Sequence, residues 1–395
     1  MRIRNIVLTA LTILFVSGAI LYSCTRKKAD YLGPEYLSAP SDFTASNLTA
    51  TDPINFASGV CNITATFSHR VTYTVTITGL TSGAEKVYTG VGSLIDAAAI
   101  GGIWNGSHDG LYFFRSGEQA LITLTFLRSE VKLSKVVTIT TKRNFVLGNP
   151  YLLAVGGSNN SYELPATVRS SVCPTCGFFP FQFSFSEGLA GPTSFAEDVL
   201  ASANSVNAVD GLKVLKFAGK SAQGDGFFIG GIQHRKGNPG GNISFMLPAT
   251  WKDPSQIYFN VYIYGNGNSK ATVNLEFHES DYSNSKNDYV APLDTLKKEC
   301  GGTPLNKFDH DPCTDDGWVS AIPVDFVGWR LVSVKYSDFV RSVSLPNGGS
   351  GDGIKEPTRV ARIQMGVVAR PAFAETNVLM DYPIISYGAP FDPSK

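Results

Sequence analysis

The chain is short of charge, of histidine and of cysteine, and it has no long apolar run beyond its first residues. Of its 395 residues 17% are charged, with 33 Lys and Arg balanced by 33 Asp and Glu. No basic field is available to neutralise phosphates, which excludes nucleic acid as a partner. The five histidines leave little room for acid/base constellations, and there is no nucleophile elbow, phosphate loop or zinc-protease helix. What the chain has instead is 39 Gly, 25 Phe and 16 Tyr, with many Thr and Val. That mixture favours pleated strands and tight turns and predicts an all-β protein. The length predicts two domains, each able to bury a core without help from metals or disulfides.

The apolar run from Ile6 to Leu21 follows Arg2 and Arg4 and ends in Leu21-Tyr22-Ser23-Cys24. A short basic region, an apolar stretch too brief for a comfortable span and a small residue before the first cysteine read as an export signal. The spacing resembles a bacterial lipobox, which implies a signal peptide over 1–23 and lipid attachment at Cys24. Removing two arginines leaves 31 basic residues against 33 acidic ones, a formal charge of −2. Residues 24–41 then form a lipid-anchored tether. Five cysteines remain, so not all pair internally. Cys61 sits in an apparent strand and reads as a small buried apolar residue. Cys300 and Cys313 bracket a Gly, Asp and Pro-rich loop that a disulfide would close. Cys173 and Cys176 lack the helix that a redox motif needs after it, so they read as a small structural disulfide. The spacing of the four late cysteines does not suit zinc.

Strand-like runs recur at Cys61 to Phe67, Thr72 to Thr78, Glu85 to Val91, Gly110 to Phe114, Ala120 to Phe126 and Val136 to Thr141. Their size and rhythm over 42–155 resemble an immunoglobulin-like β-sandwich. A linker at 156–164 leads into a larger β unit over 165–390. There Phe181 to Gly188, Gly211 to Phe217, Ile243 to Leu247 with Trp251, the segment Trp329-Arg330-Leu331-Val332-Ser333-Val334-Lys335-Tyr336-Ser337-Asp338-Phe339 and the strand Val378 to Ile384 follow in order. Together they resemble the β-jelly-roll carbohydrate-binding modules of the galactose-binding-domain-like group. The resemblance implies a glycan ligand and a structural calcium between the first and last strands, at positions matched by Glu187 and Asp381.

From Ile257 to Tyr264 the residues alternate, so Ile257, Phe259, Val261 and Ile263 face a core while Tyr258, Asn260, Tyr262 and Tyr264 face away. After Gly265-Asn266-Gly267-Asn268, Val273, Leu275 and Phe277 alternate with Asn274, Glu276 and His278. The two runs read as a hairpin with one dry face and one polar, aromatic face. The strand from Arg362 to Arg370 would add Arg362 and Gln364 to that face. Sugars suit such a surface, since their C–H faces pack on aromatic rings and their hydroxyls need planar donors and acceptors. Trp104, Trp251 and Trp318 read as core or sandwich-edge residues.

The expectation is a membrane-anchored lipoprotein of the outer membrane or cell surface that binds a polysaccharide or oligosaccharide without catalysis. It resembles the glycan-capturing lipoproteins that Bacteroidetes-type bacteria set beside outer-membrane transporters, and Asp294-Thr295-Leu296 resembles their O-glycosylation acceptor. Two alternatives stand beside it. A jelly-roll lyase or glycoside hydrolase would use Tyr262, His278, Gln364 and Arg362, or Glu276 with Asp281. An adhesin or scaffold would share the anchor and the sandwiches without a glycan ligand.

Overall fold

The computed structural model describes residues 37–154, 179–181, 194–220, 227–235, 247–267, 270–280, 314–342, 353–369 and 375–395. Among them every extended element is a strand, and the remaining regular pieces are single 3-10 turns. The all-β expectation holds.

The first unit contains β1 (Ala45–Ala50), β2 (Ile54–Asn55), β3 (Cys61–Gly79), β4 (Glu85–Ile95), β5 (Ile103–Trp104), β6 (Gln119–Phe126) and β7 (Lys132–Thr141). Its hydrogen-bonded order is β1-β3-β6-β7-β2, with β4 and β5 also on β3. The runs read from sequence as two strands, Cys61 to Phe67 and Thr72 to Thr78, are one strand, β3. It breaks register against β4 between Thr66 and Val71, and while β4 pairs with parts of both halves, β1 takes the first half and β6 the second. Along β3, Ile63, Ala65, Val71, Tyr73, Val75 and Ile77 enter one core with Trp104, Ile122, Leu124 and Ile139, while threonines fill the alternate positions. Cys61 is fully buried, which pushes its thiol up to about 12 and leaves it inert. The run Gly110 to Phe114 is a loop rather than a strand. Phe114 joins the first core and Phe113 leaves it.

The second unit contains β8 (Leu152–Ala154), β9 (Phe179–Phe181), β10 (Ser194–Leu200), β11 (Lys213–Lys220), β12 (Phe227–Arg235) and β13 (Ile257–Asn266). It continues with β14 (Ala271–Ser280), β15 (Thr314–Pro323), β16 (Val327–Lys335), β17 (Val340–Arg341), β18 (Val360–Ala369) and β19 (Glu375–Tyr387). Sheet I runs β10-β11-β19-β13-β16 with β8 on β19, and sheet II runs β17-β15-β14-β18-β12-β9. The chain passes repeatedly between them, which is jelly-roll topology. Because Leu152 to Ala154 pair with β19, the second sandwich takes up residues that the sequence reading gives to the first.

Phe259, Val261 and Ile263 of sheet I meet Val273, Leu275, Phe277, Ile363, Met365 and Val367 of sheet II in one core. Tyr336 and Phe339, from the segment that carries the family resemblance, pack on Phe277 at 4.3 and 5.0 Å. Trp104, Trp251 and Trp318 are all buried.

The expected hairpin is not formed. Both edges of β13 are taken by β16 and β19, and both edges of β14 by β15 and β18. The turn after β13 therefore crosses from one sheet to the other. Gly265 permits it, since a Cβ there would lie 2.3 Å from the carbonyl oxygen of Phe326, and Gly267 follows at φ 78°. Two strands whose dry faces meet across a core carry their wet faces on opposite sides of the sandwich.

A third cluster joins the two units. Phe113 and Phe145 of the first unit pack with Val209, Tyr262, Tyr382, Ile384 and Phe391 of the second. Phe113 N–H donates to Val209 at 2.9 Å, and His108 N–H donates to Pro393 at 3.1 Å. Lys142 Nζ reaches both oxygens of Asp210, at 2.5 and 2.7 Å. The Arg143 guanidinium donates to the main-chain oxygen of Lys395.

Candidate functional site

The middle of the tyrosine strand lies in this junction, which corrects the expectation that Asn260 and Tyr262 face a ligand, while Tyr258 and Tyr264 on either side keep partial exposure. Tyr262 is 3% exposed and packs edge-on to Phe113. Burial raises its phenol pKa, and Asp381, Asp392 and Asp210 add to the shift. Asn260 is fully buried, and its amide ties strands together. Nδ2 donates to Ile384 O at 3.1 Å and to Ser386 Oγ at 3.0 Å, while Oδ1 accepts Phe391 N–H at 3.0 Å. Tyr264 stands edge-on to Trp329, and Lys335 lies over Tyr258. These side chains face away from the core as the alternation requires, but the first unit and the chain's own last residues cover the middle of the row.

Asp381 stands opposite Tyr262. Its Oδ2 accepts Asp210 N–H at 2.9 Å and its Oδ1 accepts Tyr382 N–H at 2.8 Å. This carboxylate thus holds backbone at the junction, and Glu187, with which it is expected to bind calcium, lies outside the described residues. Among the described residues no three His, Cys, Asp or Glu side chains gather where an ion would sit. Glu187, Asp281, Cys24, Cys173, Cys176, Cys300 and Cys313 lie outside the described residues.

The polar residues of β14 and β18 do come together, on the outer face of sheet II. Register sets three adjacent rows across the strands, and directly opposed residues share a face. One row is Phe179, Gln233, Gln364, Glu276 and Val319. The next is Phe181, Gly231, Gly366, Asn274 and Ala321. On the other side of the first row stand Arg235, Arg362, His278 and Gly317. Asn274, Glu276 and Gln364 keep partial solvent access. His278 Nε2 meets Glu276 Oε2 at 2.9 Å, with the imidazole 3% and the carboxylate 16% exposed. The histidine is enclosed and the acid is presented, so His278 positions Glu276.

Two buried acids at the end of this sheet hold the segment that leads into β18. Glu279 accepts Glu356 N–H at 2.6 Å and also takes the Tyr336 hydroxyl. Asp316 accepts Gly353 N–H at 2.9 Å and pairs with Arg341 Nε at 2.7 Å. Lys355 reaches Ser337 O at 3.1 Å and lies 4.2 Å above the Trp318 ring. Burial raises the Glu279 carboxyl to about 7 against the opposing pull of its hydrogen bonds. The Trp318 indole acts on that carboxyl without closing a well-formed bond, which leaves Oε2 and the indole N–H unsatisfied. Sequence reasoning passed over Glu279, although it was signposted. The dry-face series Val273, Leu275, Phe277 arrives at an acid, and an acid at a core position calls for partners.

No protein-family model and no curated protein matches this chain. Among solved structures, a family 11 carbohydrate-binding module from Clostridium thermocellum, in complex with a β-1,3-1,4-mixed-linked tetrasaccharide, is 11% identical. That match covers 54% of this chain and 89% of the other, with a TM-score of 0.32. A family 30 module of a cellulosomal cellulase from the same organism is 13% identical over 54% of this chain and 92% of its own, at a TM-score of 0.27. SGBP-B from a complex xyloglucan utilization locus in Bacteroides uniformis is 10% identical, covers 87% of this chain and 73% of its own, and has a TM-score of 0.31.

Proposed function

We propose that the chain is a membrane-anchored glycan-binding protein that holds its ligand on the outer face of sheet II without cleaving it. The observation that carries this reading is the set Asn274, Glu276 and Gln364, which stand on adjacent rows of β14 and β18 and keep partial solvent access on the outer face of sheet II. Their amide and carboxylate groups are planar acceptors and donors of the kind that pairs of sugar hydroxyls need. The enclosure of His278 favours holding over cutting, because a proton-transferring imidazole must reach its substrate. The lipobox-like Cys24 supplies the anchor, and export through it would place the protein at a membrane surface, facing polysaccharide.

The test is retention of the full chain on a panel of immobilised polysaccharides. Asn274→Ala combined with Gln364→Ala is expected to weaken retention at least about tenfold, with the fold checked by near-ultraviolet circular dichroism. Retention that survives the double change would remove the face assignment, and glycan breakdown in the same assay would favour the lyase. Replacing Cys24 by Ala is expected to move the protein from the membrane fraction to the soluble one.

A further inference from the structure

His108 is fully buried where the two units meet. Its main chain donates to Pro393 O at 3.1 Å, and its ring lies 4.2 Å from Phe113 and 6.0 Å from Phe145. Nδ1 stands 3.0 Å from the carbonyl oxygen of Gly110. A carbonyl can only accept, so Nδ1 carries the proton of the neutral ring and Nε2 carries a lone pair. Nε2 is enclosed and has no hydrogen-bond partner. Protonation there would add both a charge and an unpaired donor among aromatic rings, which costs far more than a bare lone pair.

The charged groups around the ring are engaged elsewhere. Lys86 holds Asp109 at 2.6 Å and Lys142 holds Asp210 at 2.5 Å. Asp381 accepts two main-chain N–H groups, Asp392 accepts Ser394 N–H, and Arg143 donates to the main chain of Lys395. Burial holds the Tyr262 and Tyr382 phenols above their ordinary range, so they stay neutral. Burial also pushes the His108 imidazole down to about 4, against the Gly110 bond and the attraction of Asp210 and Asp109, with Lys86 adding to the depression.

We propose that His108 is an acid-sensitive pin of the junction: a neutral ring holds the two sandwiches as one body, and protonation at Nε2 releases them from each other. Each unit keeps a core of its own, one around Trp104 and one around Phe259, so the release is local. A released ring returns to its ordinary 6.5 and binds the proton more tightly than the buried one. The joint is therefore complete above about 6.5 and weakens as pH falls towards about 4. Opening would bare Tyr262, Tyr382 and Phe391 on the outer face of sheet I.

Hydrogen exchange of the full chain, corrected for the pH dependence of the exchange chemistry, reads this at the Phe113 and His108 amides, which cross the junction to Val209 and Pro393. Their opening constant is expected to rise on the order of a hundredfold between about pH 7 and about pH 4. The Val75 and Ile122 amides, in the first core, should keep their protection. His108→Gln keeps an amide donor for Gly110 and does not titrate, so it should flatten the rise. Nuclear magnetic resonance of the parent chain, which needs no variant, should show the ring titrating near 4. Four results would each overturn the proposal: junction protection independent of pH, an equal rise at Val75 and Ile122, a rise that persists in His108→Gln, or a ring that titrates near 6.5.

Discussion

The outer faces of sheets I and II both present polar and aromatic residues opposite an apolar stripe, yet their surroundings differ. On sheet I, Tyr262 meets Phe113, Asn260 holds the backbone of Phe391, and Asp381 takes the backbone of Asp210. On sheet II, Asn274, Glu276 and Gln364 keep solvent access across neighbouring strands. Alternation reports which side chains leave the core. It carries no information about what comes to lie on them afterwards. A tyrosine with a buried ring gains contact area from any neighbour, so aromatic richness on a wet face is as good a cue for an intramolecular junction as for a ligand.

The largest effect that would break this comparison is expected at Phe113. Its ring lies 4.5 Å from Tyr382 and 5.5 Å from Phe145, at the centre of the junction. Phe113→Ala is expected to cost about 3 kcal/mol and to resolve denaturant unfolding into two transitions, one for each unit. A single transition with an unchanged midpoint would mean that the covered face of sheet I does not hold the units together.

On the other sheet, Glu279 gives a pH signature. Its carboxyl is raised from 4.5 to about 7 by burial, so the native state binds this proton more tightly than the unfolded chain does. The resulting stabilisation is complete below about 4.5, falls as pH rises towards about 7, and changes no further above that. A loss on the order of 2 kcal/mol across that window is expected, and Glu279→Gln should flatten it. A stability profile that Glu279→Gln leaves unaltered would refute the assignment.

Lys142→Met removes the cation from Asp210, which is 5% exposed, whereas the lysine side chain keeps 30% of its surface in solvent. The expected cost is about 1 to 2 kcal/mol, less than for a fully enclosed pair. It should disappear in the double variant with Asp210→Asn, which no longer leaves a buried charge. Equal losses in the single and double variants would show that the ion pair is not what Lys142 contributes.

The sheet content and the dry stripes were legible because strand periodicity depends only on neighbours two residues apart. Val273, Leu275 and Phe277 are in the core for that reason. The neighbourhood of β14 and β18 was suggested by jelly-roll topology and not fixed by their local pattern, and the register shows the two paired. The separation of β13 from β14 was not legible. A glycine-rich turn between two alternating runs is compatible with a hairpin and with a crossing between sheets, and the choice is made by β16, β18 and β19, which arrive later in the chain. Nor could local pattern show that Phe113 and Phe391, 278 positions apart by their numbers, would enclose Tyr262.

The smallest expected effect is the sharpest discriminator between the faces. Tyr258 is partly open, and its described ring contact is with Lys335 at 5.7 Å. Tyr258→Ala should therefore cost no more than about 1 kcal/mol. It stands on sheet I, with the core of the sandwich between it and Glu276, so glycan retention should stay within about twofold of the parent chain, well inside the roughly tenfold expected for a lost ligand contact. Asn274→Ala alone, on the opposite face, should exceed that limit. If the tyrosine variant loses the ligand and the asparagine variant keeps it, the recognition surface lies on sheet I, beside the junction, and sheet II is an ordinary wet face.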